Sequence, residues 1–132
     1  MRIMLDTNVL ISLFVFKGKK FEDLFIKVCF QHTLVLSSYI IDELYEVVEK
    51  KFPGKSEFLN TFLSRIPFEQ VHMPEDKPDH NLFIIRDDND DKVLYSAIIA
   101  DVDIFITGDK DFIDVVLQKP KILTPTQFLE RF

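Results

Sequence analysis

Short apolar runs recur along this chain at intervals that a parallel sheet with helical crossovers fills. Arg2-Ile-Met-Leu5, Thr33 to Leu36, Phe68 to His72, Ile104-Phe-Ile106 and Lys121-Ile-Leu123 read as strands, being too short for buried helices. The stretches between them have helical period. Val9 to Phe14 gives a first turn or two, and Phe21, Leu24, Phe25 and Val28 mark a helix from Phe21 to Phe30. Ser37 or Ser38 caps a helix from Tyr39 to Lys51 that stops at Phe52-Pro53-Gly54. Ser56 to Ile66 forms another, with Phe58, Leu59, Phe62 and Leu63 inward, and Val93 to Ala100 is amphipathic. Ile113, Val116 and Leu117 continue a short helix beyond Phe112, and Thr124-Pro125 opens a closing one. Met73 to Asn81, rich in Pro and charge, reads as a surface loop, and Leu82 to Ile85 leads the chain back inward. This alternation predicts an α/β fold: a three-layer α/β/α sandwich around a parallel sheet of about five strands, with right-handed crossovers.

The 132 residues fit one domain spanning 1–132, and 47% apolar residues with fourteen Phe supply its core. A lone Cys29, set in Ile26-Lys-Val-Cys-Phe30, reads as a small buried hydrophobe and suits a reducing cytoplasm. The longest early apolar run, Val9 to Phe16, is too short to span a bilayer, so neither a signal peptide nor a membrane segment is expected. A net charge of -6 argues against coating nucleic acid by bulk positive charge. It leaves room for an enzyme that bridges its carboxylates to phosphates through metal ions. The three glycines are scattered, so a Gly-rich phosphate loop is absent.

Acidic residues concentrate where such a sheet presents groups to a ligand. Arg86-Asp-Asp-Asn-Asp-Asp-Lys92 precedes one helix, and Thr107-Gly-Asp-Lys-Asp111 follows one strand. Taken alone, Asp87, Asp88, Asp90 and Asp91 most often mean a solvated loop that complements a helix dipole. A calcium loop fails twice, because Lys92 holds the position that requires Gly and Ile98 holds that of the closing Glu. On the helical wheel, however, Asp90 shares a face with Val93, Leu94 and Ala97, so it points inward at the helix start. A carboxylate there is costly unless helix N–H groups and a cation compensate it. Asp91, rotated towards Tyr95 and Ile98, ranks second.

Asp6 ends the first strand and Asp109 follows the fourth; each has an ordinary alternative as a turn or helix-cap residue. Glu43 borders the apolar face of its helix between Ile40 and Val47, whereas Asp42, Glu46 and Glu49 lie opposite. Oxygen donors without clustered Cys or His indicate a hard cation, Mg²⁺ or Mn²⁺, and His32, His72 and His80 show no ligand spacing. Two such ions roughly 4 Å apart activate a water for in-line attack on phosphorus and stabilise the leaving oxygen. That chemistry suits phosphodiester hydrolysis.

Leu5-Asp6-Thr7-Asn8-Val9, Leu36-Ser37 before the helix carrying Glu43, Arg86-Asp87 to Asp90 before Val93-Leu94 and Ala97, and Ile106-Thr107-Gly108-Asp109-Lys110-Asp111 together resemble the PIN-domain ribonucleases. The branch most resembled comprises toxins of toxin–antitoxin pairs, and the resemblance covers essentially the whole chain. It implies a sheet in order 3-2-1-4-5. Asp6, Glu43, Asp90 and Asp109 would form an acidic quartet that binds Mg²⁺ or Mn²⁺, with Asn8, Thr107 and Asp91 in support. A cytoplasmic homodimer, an RNA substrate and a small antitoxin partner are implied as well. The chain departs from the branch at Asp88, where Pro is frequent, and at Asp101, in a helix-to-strand turn where Gly is common. Asp111 is either a further acid or a helix cap.

Lys17, Lys19, Lys20, Arg86, Lys92 and Lys110 lie in loops or helix starts near these acids and are candidates for guiding an RNA strand, although most lysines are simply solvated. Tyr39 and Phe112 are candidate stacking residues, in competition with the core. Among other classes, a haloacid-dehalogenase-type phosphatase would need a second Asp where Asn8 stands. A receiver domain would need a Lys after the last strand, whereas Lys121 opens it. A non-enzymatic alternative is a PIN-fold binding module with a weak or silent site, acting through a protein partner.

Overall fold

The computed structural model describes residues 1–15, 18–73, 88–112, 115 and 117–132, the side chains of residues 88–91 excepted. Five parallel strands, β1 (Arg2–Leu5), β2 (Thr33–Ser37), β3 (Glu69–Val71), β4 (Ile104–Ile106) and β5 (Lys121–Leu123), form one sheet in the order β3-β2-β1-β4-β5. The strand positions, the parallel direction and the 3-2-1-4-5 order all agree with expectation. Strand β1 is central. Its Ile3, Met4 and Leu5 are fully buried, as a strand covered on both faces requires, which explains why its sequence does not alternate apolar with polar.

Helices α1 (Thr7–Val15), α2 (Lys19–Ile26), α3 (Ser38–Lys51), α4 (Ser56–Arg65), α5 (Asp88–Ile99) and α6 (Pro125–Arg131) flank the sheet. A wide π turn over Lys27–Gln31 prolongs α2, so the helix expected from Phe21 to Phe30 changes pitch in its last turn. Of the two candidate caps for α3, Ser37 accepts the Ile40 N–H at 3.1 Å, while the Ser38 hydroxyl receives the Met73 N–H instead. Thr124 and Gln127 make a reciprocal capping box ahead of α6. Cys29 is buried, and burial pushes its thiol up to about 11, so it behaves as the inert hydrophobe expected. Among the described residues no helix is long and apolar enough to cross a membrane.

Two local expectations are corrected. Phe58 is 68% exposed rather than inward, because the inward stripe of α4 runs through buried Leu59 and half-buried Phe62 and Leu63 and leaves Phe58 beside it. Of the helix expected beyond Phe112, the described residues show a 3-10 turn over Lys110–Phe112 and non-helical Val115 and Leu117, while Ile113 and Val116 lie outside the described residues. The Asp109 carboxylate accepts the Asp111 N–H at 2.9 Å, the cap bond expected of it at the start of that turn. The loop read at Met73 to Asn81 and the apolar return at Leu82 to Ile85 lie, apart from Met73, outside the described residues.

Candidate active site

Strand register creates the centre of the site. Leu5 of β1 pairs with Ile106 of β4, so the next residues, Asp6 and Thr107, leave the sheet side by side at its carboxyl edge. The Asp6 N–H donates to the Ile106 carbonyl at 2.9 Å, and the Asp6 carbonyl accepts the Leu10 N–H, which starts α1 there. The Thr107 hydroxyl donates to Asp6 Oδ2 at 2.8 Å and accepts the Asp109 N–H at 3.0 Å. One hydroxyl thus fixes both acids. Thr107 is itself buried and tied to β5 through its N–H, which donates to the Leu123 carbonyl.

Asp6 is only 4% exposed. Burial pushes its carboxyl up to about 6, a rise that the Thr107 hydroxyl and the Thr7 N–H oppose and that the charges of Glu43 and Asp109 reinforce. Among the described residues no cation pairs with it. Glu43 is half-buried on α3, whereas Asp42, Glu46 and Glu49 are exposed, in keeping with its border position on the wheel. Asp109 is half-buried, and a cleft of about 680 Å³ opens beside it and Thr107 towards Leu123 and Thr124.

Asn8 is exposed in the first turn of α1. Asp90 and Asp91 fall in the first turn of α5, but their side chains lie outside the description. The wheel neighbours of Asp90, namely Val93, Leu94 and Ala97, are all buried. Among the described residues no group of three or more His, Cys, Asp or Glu stands close enough to hold a metal ion. The donors around Asp6 are nonetheless all oxygens, and its carboxylate is buried without a counter-charge among the described residues, so the chemistry of the set fits a hard cation. Phe112 is not a stacking residue: it is buried and packs edge-on against Phe105 with centroids 5.4 Å apart. Thr7, which the sequence did not single out, is buried with its hydroxyl unpaired. Its position directly after Asp6 was the only available signal.

Sheet order and the carboxylates at one edge define an α/β protein of PIN-like topology. The chain belongs to the PIN domain family, whose pattern it matches over residues 2–111. Three solved structures are similar to it. VapBC2 from Rickettsia felis, bound to a DNA fragment from its promoter, shares 21% identity over 93% of this chain and 97% of that one, with a TM-score of 0.71. A toxin–antitoxin complex from Klebsiella pneumoniae shares 20% over 93% and 97%, at 0.62. VapC20 of Mycobacterium tuberculosis, a toxin that cleaves the sarcin-ricin loop, shares 10% over 86% and 96%, at 0.60. At these identities the likeness is one of fold. No curated protein matches the sequence.

Proposed function

We propose that this chain, as one domain of residues 1–132, is a Mg²⁺- or Mn²⁺-dependent endoribonuclease and the toxin of a toxin–antitoxin pair. The observation that carries the reading is Asp6: a buried carboxylate, aimed by Thr107, flanked by Glu43 and Asp109, and without a partner cation among the described residues. Asp6, Glu43, Asp90 and Asp109 would hold the cation. When bound, it supplies Lewis acidity that makes the attacking water ionise near neutral pH and offsets charge on the phosphate. Thr107 holds Asp6 and the Asp109 backbone in a fixed relation, and Asn8 and Asp91 flank the quartet from the starts of α1 and α5. A pre-oriented acid lowers the reorganisation the site must undergo.

Membership in the PIN domain family and the toxin–antitoxin character of the similar structures support this reading. VapC20 is a sarcin-ricin loop cleaving toxin, and with the acidic, metal-fitting site this makes RNA the substrate class to test first. An antitoxin also has a suitable surface to cover. Leu13, Phe14, Phe25 and Phe62 line an apolar groove of about 710 Å³, beside which Phe30 and Phe58 stand 71% and 68% exposed. Lys55 and Arg65 flank the groove, so an apolar segment with acidic ends fits it. The expected cytoplasmic homodimer is a second candidate for covering this face.

Incubation of the purified chain with labelled RNA, with and without Mn²⁺, beside Asp6→Asn and Asp90→Asn tests the reading. Cleavage that requires metal and both acids supports it. Equal cleavage by all three proteins refutes it, and binding of a partner with no cleavage at all favours the silent-module alternative.

A further inference from the structure

RNA carries a phosphate at every nucleotide, and the described residues around Asp6 are mainly acids in a chain of net charge -6. A cation at the mouth has to admit such a substrate. Lys92 is placed for this. It is exposed near the start of α5, and its Nζ lies 5.7 Å from the centroid of the Tyr39 ring. Tyr39 is half-buried in the first turn of α3, one turn before Glu43. Residues four apart share a helix face, so Tyr39 and Glu43 form one stripe beginning at the sheet's carboxyl edge. Glu43 in turn acts electrostatically on Asp6. A continuous line therefore runs from a surface cation, over an aromatic ring, to the acids.

Among the other candidate cations, Lys110 is exposed in the turn after Asp109 with no ring contact among the described residues, and Lys17 and Arg86 lie outside the described residues. Lys19 and Lys20 belong to α2, where Lys20 lies over Phe21, and the ion pairs among the described residues engage Arg2 and Lys119 rather than Lys92. An ammonium resting on a ring face is partly immobilised before any ligand arrives, which lowers the entropy lost on binding.

We propose that Lys92, held over the Tyr39 ring, is a substrate-positioning residue that binds a phosphate of single-stranded RNA beside the bond to be cut. This assignment rests on the ribonuclease reading above. Tyr39 acts through Lys92, and its ring rather than its hydroxyl matters for that contact.

The test is fluorescence anisotropy of a labelled, mixed-sequence single-stranded RNA oligonucleotide with the full chain, in an Asp6→Asn background that keeps the RNA intact. It is repeated across salt concentrations, with circular dichroism to verify folding. Lys92→Gln is expected to weaken binding about 3- to 10-fold near 0.1 M salt and to flatten the log–log salt slope by about 0.7. Lys92→Arg restores both, Tyr39→Phe changes neither, and Tyr39→Leu weakens binding with most of the slope retained. A purely structural role for Lys92 would alter stability and leave the slope alone. RNA binding with an unchanged slope in Lys92→Gln therefore overturns this inference while the ribonuclease reading stands. No RNA binding at any salt, together with no cleavage by the unmodified chain, overturns both.

Discussion

The two edges of the sheet treat charge in opposite ways. At the amino edge, the Arg2 guanidinium meets Glu69 at 3.0 Å, Lys119 bridges Asp101 and Asp103 at 3.2 and 3.6 Å, and the Arg2 N–H donates to Asp103 at 2.8 Å. At the carboxyl edge, Asp6 is buried among acids with two hydrogen-bond donors and, among the described residues, no cation. The same side chain shifts in opposite directions. The Arg2 N–H above all, with Lys119 and the amino terminus, holds Asp103 below the usual carboxylate range against the opposing effect of burial, whereas burial lifts Asp6 to about 6. A fold that neutralises charge where only stability is at stake and leaves it uncompensated elsewhere marks the second place as functional.

The sharpest way to break this comparison is Asp6→Asn, which removes the uncompensated charge and keeps the shape. Cleavage should fall by about 10²–10³-fold or more, while the metal-free protein becomes more stable at neutral pH. A substitution that lowers activity and stability together would mean that Asp6 is an ordinary structural acid. Chemical denaturation in the presence of a chelator, beside the RNA assay, separates the two outcomes.

The same carboxyl sets a pH dependence. Below the ordinary value of 3.8, Asp6 is protonated in both the folded and the unfolded chain, so it carries no penalty. Between 3.8 and about 6 the unfolded chain releases its proton and the folded chain keeps it, so stability falls as pH rises. Above about 6 both are ionised and the loss is complete. At 1.36 kcal/mol per pH unit it amounts to about 3 kcal/mol. Unfolding free energies of the metal-free chain from denaturation at pH 4 and pH 7, compared with those of Asp6→Asn, should diverge by most of that amount, about 2 kcal/mol, and Mn²⁺ should close the gap at pH 7. Parallel curves for the two proteins would show that the carboxyl does not titrate with folding.

Thr107 links the acids, so Thr107→Val should have a smaller but composite effect. It strips a donor from Asp6 and an acceptor from the Asp109 N–H, costing about 1–3 kcal/mol of stability. Support lost by a ligating carboxylate typically costs about 10- to 100-fold in metal affinity or activity. Because the Thr107 bond lowers the Asp6 pKa, the acid limb of the cleavage profile should move to higher pH. Thr107→Ser should restore both properties. Failure of Ser to restore them would assign the effect to the methyl group and to packing.

Much of this contrast is legible in the sequence. Apolar runs and turn residues located all five strands, and the wheel placed Glu43 at the border of its helix. What periodicity does not encode is which strands are neighbours: the order that sets β1 beside β4 came from family resemblance, and the pairing of Leu5 with Ile106 that brings Thr107 to Asp6 is seen only in the structure. Errors fell where a residue borders two environments. Phe58 has the composition of the core and the position of a groove rim, and Asp109 both lies at the site and caps the turn that follows it, so its side chain serves two environments. The Tyr39–Lys92 contact joins helices far apart in the chain, beyond the reach of any local pattern.

The smallest predicted effect belongs to the compensated edge. Asp101 closes α5 with a φ of 53°, the left-handed conformation that glycine adopts without strain, in a turn where the resemblance to the PIN-domain branch led one to expect Gly. Its carboxylate reaches Lys119, but that pair is exposed and contributes little at physiological salt, and Lys119 keeps Asp103 in either case. Relief of backbone strain should therefore outweigh the lost contact. Asp101→Gly is expected to raise stability by roughly 0.5–1 kcal/mol and to leave RNA cleavage unchanged, because the turn lies at the opposite edge from Asp6. A drop in stability that vanishes at high salt would instead mean that the Lys119 pair is what holds Asp101 in place.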